Sequence, residues 1–238
     1  RPAMSKKSKS SARTPTASAK RAPLKEKTME RRRTKALVER VLANQDALSQ
    51  HRRRHELANL LYMDPPWSYG RDPEEVSGFS ADPRKHYPVM FDDELRLFNF
   101  GDLATRDAVC AMWVPNSLIP FALELLKRQG FEYKTKLTWH KVFESGANAA
   151  CPTLGPVLPS SEDLIIASRG AGLKISQEAQ KLTSVMSVVR GAHSAKPAIF
   201  RDMLLNLFPR APNGEATRPL EIFARQKLKG WQCFGNEV

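Results

Sequence analysis

The run Leu60-Leu61-Tyr62-Met63-Asp64-Pro65-Pro66-Trp67-Ser68-Tyr69 carries the most explicit chemistry in this chain. An apolar stretch ends abruptly in an acid, two prolines and an aromatic. Leu60 to Met63 reads as the end of a buried strand. Pro65 and Pro66 cannot donate ladder hydrogen bonds, so the strand stops there. Asp64 then stands at a strand's carboxyl end, where open α/β sheets place their ligands. The stiff prolines leave the carbonyl oxygens of Asp64 and Pro65 available as acceptors, and Trp67 and Tyr69 offer flat faces. A carboxylate, bare carbonyls and an aromatic wall suit a planar ring bearing an exocyclic NH₂. Such an amine is a poor nucleophile because its lone pair is delocalised into the ring. Two acceptors, the Asp64 carboxylate and the Pro65 carbonyl, would hold both its hydrogens and aim the lone pair at an electrophile, a positioning effect that is large by itself. The competing account is a plain Asp-Pro-Pro turn.

The elements around this run read as a chain of strands and helices. Ala108 to Val114, Tyr133 to Phe143, Asp163 to Ser168, Val185 to Val189, Leu220 to Arg225 and Trp231 to Phe234 have strand character. Asp92-Asp93-Glu94 marks a helix start, with acids favourable at the amino end. Asn116 or Ser117 caps a helix over Leu118 to Gln129 that Gly130 ends. Pro197 suits the first turn of a helix running to about Phe208. Two loops, Ser68 to Met90 with His86-Tyr87-Pro88 and Glu144 to Ser161, are long enough to reach a substrate. The alternation predicts an α/β sheet with crossover connections.

Composition narrows the classes further. Hydrophobic residues make up 41% of 238, enough for a sizeable core, and no apolar run approaches the roughly 18 residues of a membrane span. The basic amino terminus lacks the apolar centre of a secretory signal. Arg1-Pro2-Ala3, ahead of Met4, reads as an addition before the natural start. Cys110, Cys151 and Cys233 show no metal spacing and read as thiols in a reducing compartment. The formal charge of +13 is unevenly placed: residues 1–55 carry 17 Lys/Arg against four Asp/Glu, whereas residues 56–238 carry 21 of each. A basic arm beside a neutral body points to nucleic acid, since Lys/Arg contacts to phosphate release counterions whatever the sequence; a solubilising tail is the rival. Residues 1–27 are too polar to order themselves and are expected to be disordered. Residues 28–56 form a basic helical segment, with an apolar stripe of Leu37, Val38, Val41, Leu42 and Leu48. Arg31-Arg32-Arg33 and Arg52-Arg53-Arg54 are its candidate nucleic-acid contacts. Residues 57–238 form the remaining domain. No Gly-x-Gly-x-x-Gly or Walker sequence is present.

Asp64-Pro65-Pro66-Trp67 resembles the DPPW motif of the adenine-N6 methyltransferases, in the branch that includes the eukaryotic messenger-RNA adenosine methyltransferase. The similarity continues in the family's order through Met112-Trp113-Val114, Leu137-Thr138-Trp139, Ser194-Ala195-Lys196-Pro197, Leu220-Glu221-Ile222-Phe223-Ala224-Arg225 and Gly235-Asn236-Glu237, covering about residues 57–238. The resemblance implies a Rossmann-like fold dependent on S-adenosylmethionine, with a mostly parallel sheet flanked by helices. It also implies a circularly permuted motif order, in which the amino-terminal motif and the Leu220 strand are neighbours. Asp64, Pro65, Pro66 and Trp67 are then the catalytic residues, and Tyr69, His86, Tyr87 and Trp139 face the substrate. Asp64, Lys196, Glu221, Arg225, Asn236 and Glu237 hold the cofactor, with Lys196 on its methionine carboxylate and Asn236-Glu237 at the ribose. Relatives often carry His before that Lys and Gln after that Asn; Ala195 and Glu237 stand there instead, removing one contact and the donor of another. Glu221 and Arg225, four apart in one strand, would share a face, with a salt bridge between them as the rival account. No metal is implied.

The expected activity is methyl transfer to the N6 amine of adenine, on DNA in preference to RNA, because the basic arm could follow a duplex and no RNA-binding module is recognisable. A duplex target would have to be flipped out. The expected location is cytoplasmic, or nuclear in a eukaryote, with no membrane partner. Pairing as a homodimer, or as a heterodimer with a related methyltransferase, is implied by the resemblance. The rivals are a catalytically silent, nucleic-acid-binding or scaffolding partner and an enzyme that methylates a protein side-chain amide.

Overall fold

The structure is a computed structural model and describes residues 17–69, 88–150, 157–177, 181–191 and 195–238, with the backbone alone for 17–27. Two compact units divide the chain, Arg1–Glu39 and Arg40–Val238. Their division falls within helix α1 (Ala17–Arg54) rather than near residue 56. That helix starts well before the expected Thr28. Ala, Lys, Arg and Leu dominate residues 17–27, and their helix propensity carries the backbone through a stretch too polar to dock by itself. The apolar stripe is unevenly used: Leu48 is buried, whereas Val38 and Leu42 are exposed. Arg31 to Arg33 and Arg52 to Arg54 are exposed.

Residues 40–238 are built on one seven-stranded sheet: β1 (Ala58–Met63), β2 (Ala104–Val114), β3 (Glu132–Val142), β4 (Ser161–Arg169), β5 (Val185–Val189), β6 (Pro219–Ile222) and β7 (Gln232–Phe234), in the order β5-β3-β4-β2-β1-β6-β7. β1 lies inside the sheet, parallel to β2 on one side and β6 on the other, with Tyr62 opposite Glu221. The amino-terminal strand and the late Leu220 strand are thus neighbours, as the permuted order requires. β4 alone runs against the other six. The expected sheet of crossovers therefore carries one reversal. Its cause is local: among the described residues of the β3–β4 connection there is no helix, and the chain turns back beside itself instead of crossing over.

β1, β2 and β4 alternate between two cores. Leu61, Met63, Cys110 and Met112 face the layer that holds α2 (Asp92–Leu97), α3 (Ile119–Arg128) and Leu48 of α1. Leu60, Tyr62, Trp113, Trp139 and Leu164 face α4 (Ile199–Leu207) through Phe200, Met203 and Leu204. The α3 helix is preceded by a short 3₁₀ turn, Asn116–Leu118, that takes the place of the expected cap. α4 begins at Ile199 rather than Pro197, after a turn in which the Pro197 and Ala198 carbonyls accept from Phe200 and Arg201. Glu94, buried in the first turn of α2, accepts the Phe91 N–H and takes Arg40 at 2.9 Å and Asn44 at 2.7 Å from α1. Cys110 is buried and burial pushes its thiol well up, which leaves it inert; Cys233 is a half-buried free thiol, and Cys151 lies outside the described residues. Among the described residues, no helix is long and apolar enough to cross a membrane.

Arg169, at the end of β4, closes the rim opposite the motif. Its guanidinium donates to the carbonyls of Gly101, Gln129, Ala104 and Thr105 and lies 5.0 Å from the Phe131 ring centroid. Removing such a hub leaves several half-buried carbonyls without their charged donor. Arg169→Leu should destabilise the 40–238 unit by on the order of 2–3 kcal/mol. Denaturant unfolding checks this, and an unchanged midpoint would show that water replaces the guanidinium without loss.

Candidate active site

Six strands end at one edge of the sheet, and β4, running the other way, begins there. Asp64 follows the end of β1, and Lys141 lies near the end of β3. Glu162 opens β4, and Glu221 precedes the last residue of β6. The strand reversal thus brings an acid from the beginning of β4 to the edge where parallel strands deliver their last residues.

Asp64 and Glu162 share one ammonium. Lys196 Nζ lies 2.9 Å from Asp64 Oδ2 and 2.9 Å from Glu162 Oε1. Its side chain is 10% exposed, and Nζ is 5.7 Å from the Trp113 ring centroid, within cation–π range. Glu162 Oε2 meets Lys141 Nζ at 2.8 Å. Burial pushes the Asp64 carboxyl up, with the Glu162 charge adding to the rise; Lys196 and Arg225 oppose it without reversing it. Burial also acts to raise Glu162, but the ammonium groups of Lys196 and Lys141 outweigh it and hold that carboxyl below its usual range. For Lys196, burial favours the neutral amine, yet the two carboxylates prevail and push its proton affinity well above the usual lysine range.

A second, half-buried pair joins α4 to β6. Arg201 Nη1, on α4, lies 3.2 Å from each oxygen of Glu221, and its guanidinium sits 5.9 Å from the Tyr62 ring centroid. The Trp113 indole N–H donates to the Tyr62 hydroxyl at 2.7 Å, and burial pushes that phenol well up. The Glu221 carboxyl is raised by burial against the pull of Arg201.

Several expectations change. Glu221 and Arg225 do not lie in one strand: β6 ends at Ile222, and Phe223 takes a left-handed backbone at φ 63°. Glu221 pairs with Arg201 instead, while the Arg225 charge acts on Asp64. The Pro65 carbonyl is not bare, since it accepts the Trp67 N–H at 2.9 Å in a tight turn over Pro66. Its second lone pair remains for a ligand. Trp67 is no open wall: it is 4% exposed, packs edge-on against Phe121, and buries an indole N–H with no partner among the described residues. Trp139 is likewise sealed in the core, donating to the Val188 carbonyl at 2.9 Å. The apolar face of each side chain won over its ligand-stacking potential because each lies on an inward strand or turn position. Tyr69 is exposed with φ 56°, and His86 and Tyr87 lie outside the described residues.

Lys196 was expected beside a ligand carboxylate; the fold sets it against protein carboxylates. Glu162, Lys141 and Arg201 escaped the sequence reading altogether. The signal for Glu162 was available: Glu162-Asp163 abuts Leu164-Ile165-Ile166-Ala167, a charge against an apolar run as at Asp64.

Beyond β7, Gly235 approaches the Ala224 backbone so closely that a Cβ there would stand 2.2 Å from the Ala224 oxygen. This contact draws the segments after β6 and β7 together, while Asn236 and Glu237 stay exposed. Arg225, Asn236 and Glu237 thus follow β6 and β7 at the edge where the Lys196 network lies. Among the described residues, no cluster has the make-up of a metal site.

Comparison with known proteins gives a consistent result. Residues 59–237 match the MT-A70 family. The chain is 25% identical over 193 residues to the type II methyltransferase M.MunI of Mycoplasma sp., covering 75% of this chain and 77% of that protein. It is 27% identical over 198 residues to the N6-methyladenosine RNA methyltransferase MTA1 of Pyricularia oryzae, covering 76% of this chain and 46% of that one. For the protein of the same name in Cryphonectria parasitica the identity is 25% over 193 residues, with 76% and 51% covered. The chain thus spans about half the length of the two fungal proteins.

The shared ammonium makes a stability prediction. In Lys196→Met, Asp64 keeps its burial and loses its strongest opposing charge, so its carboxyl rises further above its unfolded value, while Glu162 keeps Lys141 alone. Such a raised group costs stability as pH climbs through the unfolded carboxylate range. The loss relative to wild type should therefore be larger near about pH 8 than near about pH 4, reaching roughly 3–5 kcal/mol. Denaturant unfolding at the two pH values tests the sign; an equal loss at both would show that the charges were never coupled.

Proposed function

The chain belongs to the MT-A70 family and is a nucleic-acid adenine-N6 methyltransferase; from that premise we propose that it uses S-adenosylmethionine and acts at the edge where Asp64 meets Lys196. The observation that carries the reading is an acid at the carboxyl end of an inner parallel strand, paired to a buried ammonium, beside a proline carbonyl with acceptor capacity left. S-adenosylmethionine, when bound, supplies an electrophilic methyl group on a sulfonium. The protein supplies the rest. Asp64 and the Pro65 carbonyl accept the two amine hydrogens and pyramidalise the nitrogen. The raised proton affinity of Asp64 suits it to take the proton that the nitrogen sheds on methylation. Lys196 is answered by Asp64 and Glu162, so we assign the cofactor's charged and hydroxyl groups to Arg225, Asn236 and Glu237, which follow β6 and β7 at the same edge. The methyltransferase domain in this reading is 57–238.

We favour DNA over RNA as the substrate. The exposed Arg31 to Arg33 and Arg52 to Arg54 suit a phosphate backbone. A cytoplasmic or nuclear location follows from that substrate. Digestion to nucleosides and mass spectrometry, after incubation with S-adenosylmethionine and either duplex DNA or RNA, tests the reading. N6-methyladenine in the DNA arm is expected; a signal confined to RNA would reverse the preference, and none in either arm would make the chain a silent binding partner.

Asp64→Ala should lower single-turnover methylation by on the order of 10² or more while leaving cofactor binding largely intact, because the acid is assigned chiefly to the amine. Near-normal turnover would remove Asp64 from the centre of the reaction.

A further inference from the structure

The alternation of charge at the active edge continues past Lys196. Its order is Asp64, Lys196, Glu162, Lys141, with contacts of 2.9, 2.9 and 2.8 Å. Lys141 extends from β3, 4.9 Å from the Trp139 ring centroid, and its side chain is 15% exposed. It touches neither Asp64 nor Lys196 in any contact described above, and the methyl-transfer reading gives it no task.

Resting on that reading, we propose that Lys141 is a positioning residue for the reaction: by holding Glu162 from behind, it keeps an anion against Lys196, so that Asp64 can turn its carboxylate to the target amine. When Asp64 accepts amine hydrogens, its hold on Lys196 weakens. A buried ammonium then needs another anion at once. Glu162 stands at the same distance and serves only while ionised. Two carboxylates on one ammonium carry an excess negative charge, and such a pair resists double ionisation. Lys141 supplies the missing charge and brings the four groups to neutrality.

The surrounding charges do not substitute for it. From the segment after β6, Arg225 acts on Asp64. Glu221 of β6 is answered by Arg201 of α4 at 3.2 Å. Tyr62 of β1 is neutral and accepts from Trp113 of β2. The lowered Glu162 and raised Asp64 carboxyls agree with this division, Glu162 being the standing anion and Asp64 the adaptable one.

The test compares the full chain with K141M, K141R and E162Q by two readouts. One is the ¹³C NMR titration of side-chain carboxyls, which needs no turnover. The other is single-turnover methylation of nucleic acid against pH. In K141M the protonation of the Asp64–Glu162 pair should move up by about one pH unit. The acid limb of the rate profile should move with it, because the productive form has both carboxylates ionised, and K141R should restore both. E162Q should do the opposite. Its acid limb moves down, since Asp64 loses a like-charged neighbour. Its plateau falls on the order of tenfold, since Lys196 now holds Asp64 alone. A K141M enzyme that is slower at every pH, with neither titration nor acid limb displaced, would make Lys141 merely structural and overturn the inference. Absence of methylation by the wild-type chain would instead overturn the underlying reading, and the inference with it.

Discussion

A lysine removed from water must be answered by anions, and the active edge of this protein is arranged around that requirement. Lys196 reaches inward from the turn before α4 and finds two carboxylates from β1 and β4. No one of these segments could bury its charge alone, because an isolated ion in a low-dielectric interior shifts its proton instead. Together they hold three charges close to where β1 ends. The network is an uneconomical way to gain stability, since apolar side chains of like volume would do as well. Its persistence at a strand's carboxyl end is better explained by chemistry than by folding.

The sheet supplies the precision. Asp64 stays at the edge because Pro65 and Pro66 end the ladder and the Trp67 N–H folds the chain back onto the Pro65 carbonyl. Trp67 then anchors that turn from below, packed against Phe121, while Ser68 bonds Asp92 at 2.5 Å. The aromatic of the motif thus acts as a foot for the acid, not as a stacking platform. On the opposite face, Trp113, Tyr62 and Phe200 form a rigid floor under Lys196, and the Arg201–Glu221 pair fixes α4 to β6. The acid and the lysine are held from different layers, so the distance between them is set by how α4 seats on the sheet.

The reversal of β4 has a chemical consequence. In an all-parallel sheet, an acid at the start of a strand would lie at the far edge, away from ligands. Running β4 backwards moves Glu162 to the near edge and beside Trp139 of β3, where Lys141 can reach it. A change in strand direction therefore contributes a second carboxylate that no short motif encodes.

Much of this protein follows from local sequence. The apolar run before Asp64 and the two prolines after it determine that an acid stands at the end of a buried strand, because a proline cannot extend a ladder. Ordered motifs determine the family and with it the adjacency of β1 and β6. The charge map determines where phosphate contacts are to be sought. Partners of buried charges were not determined in this way. Local sequence places Lys196 before a helix, leaves Glu162 between a loop and a strand, and puts Glu221 and Arg225 on one face of a strand, with a salt bridge between them only as a rival account. Which ions meet depends on strand direction and on the seating of α4, and both are set by contacts between residues far apart in the chain. Trp67 and Trp139 show the same limit: an aromatic's type gives its capacity to stack, but only the packed structure decides which of its faces remains open.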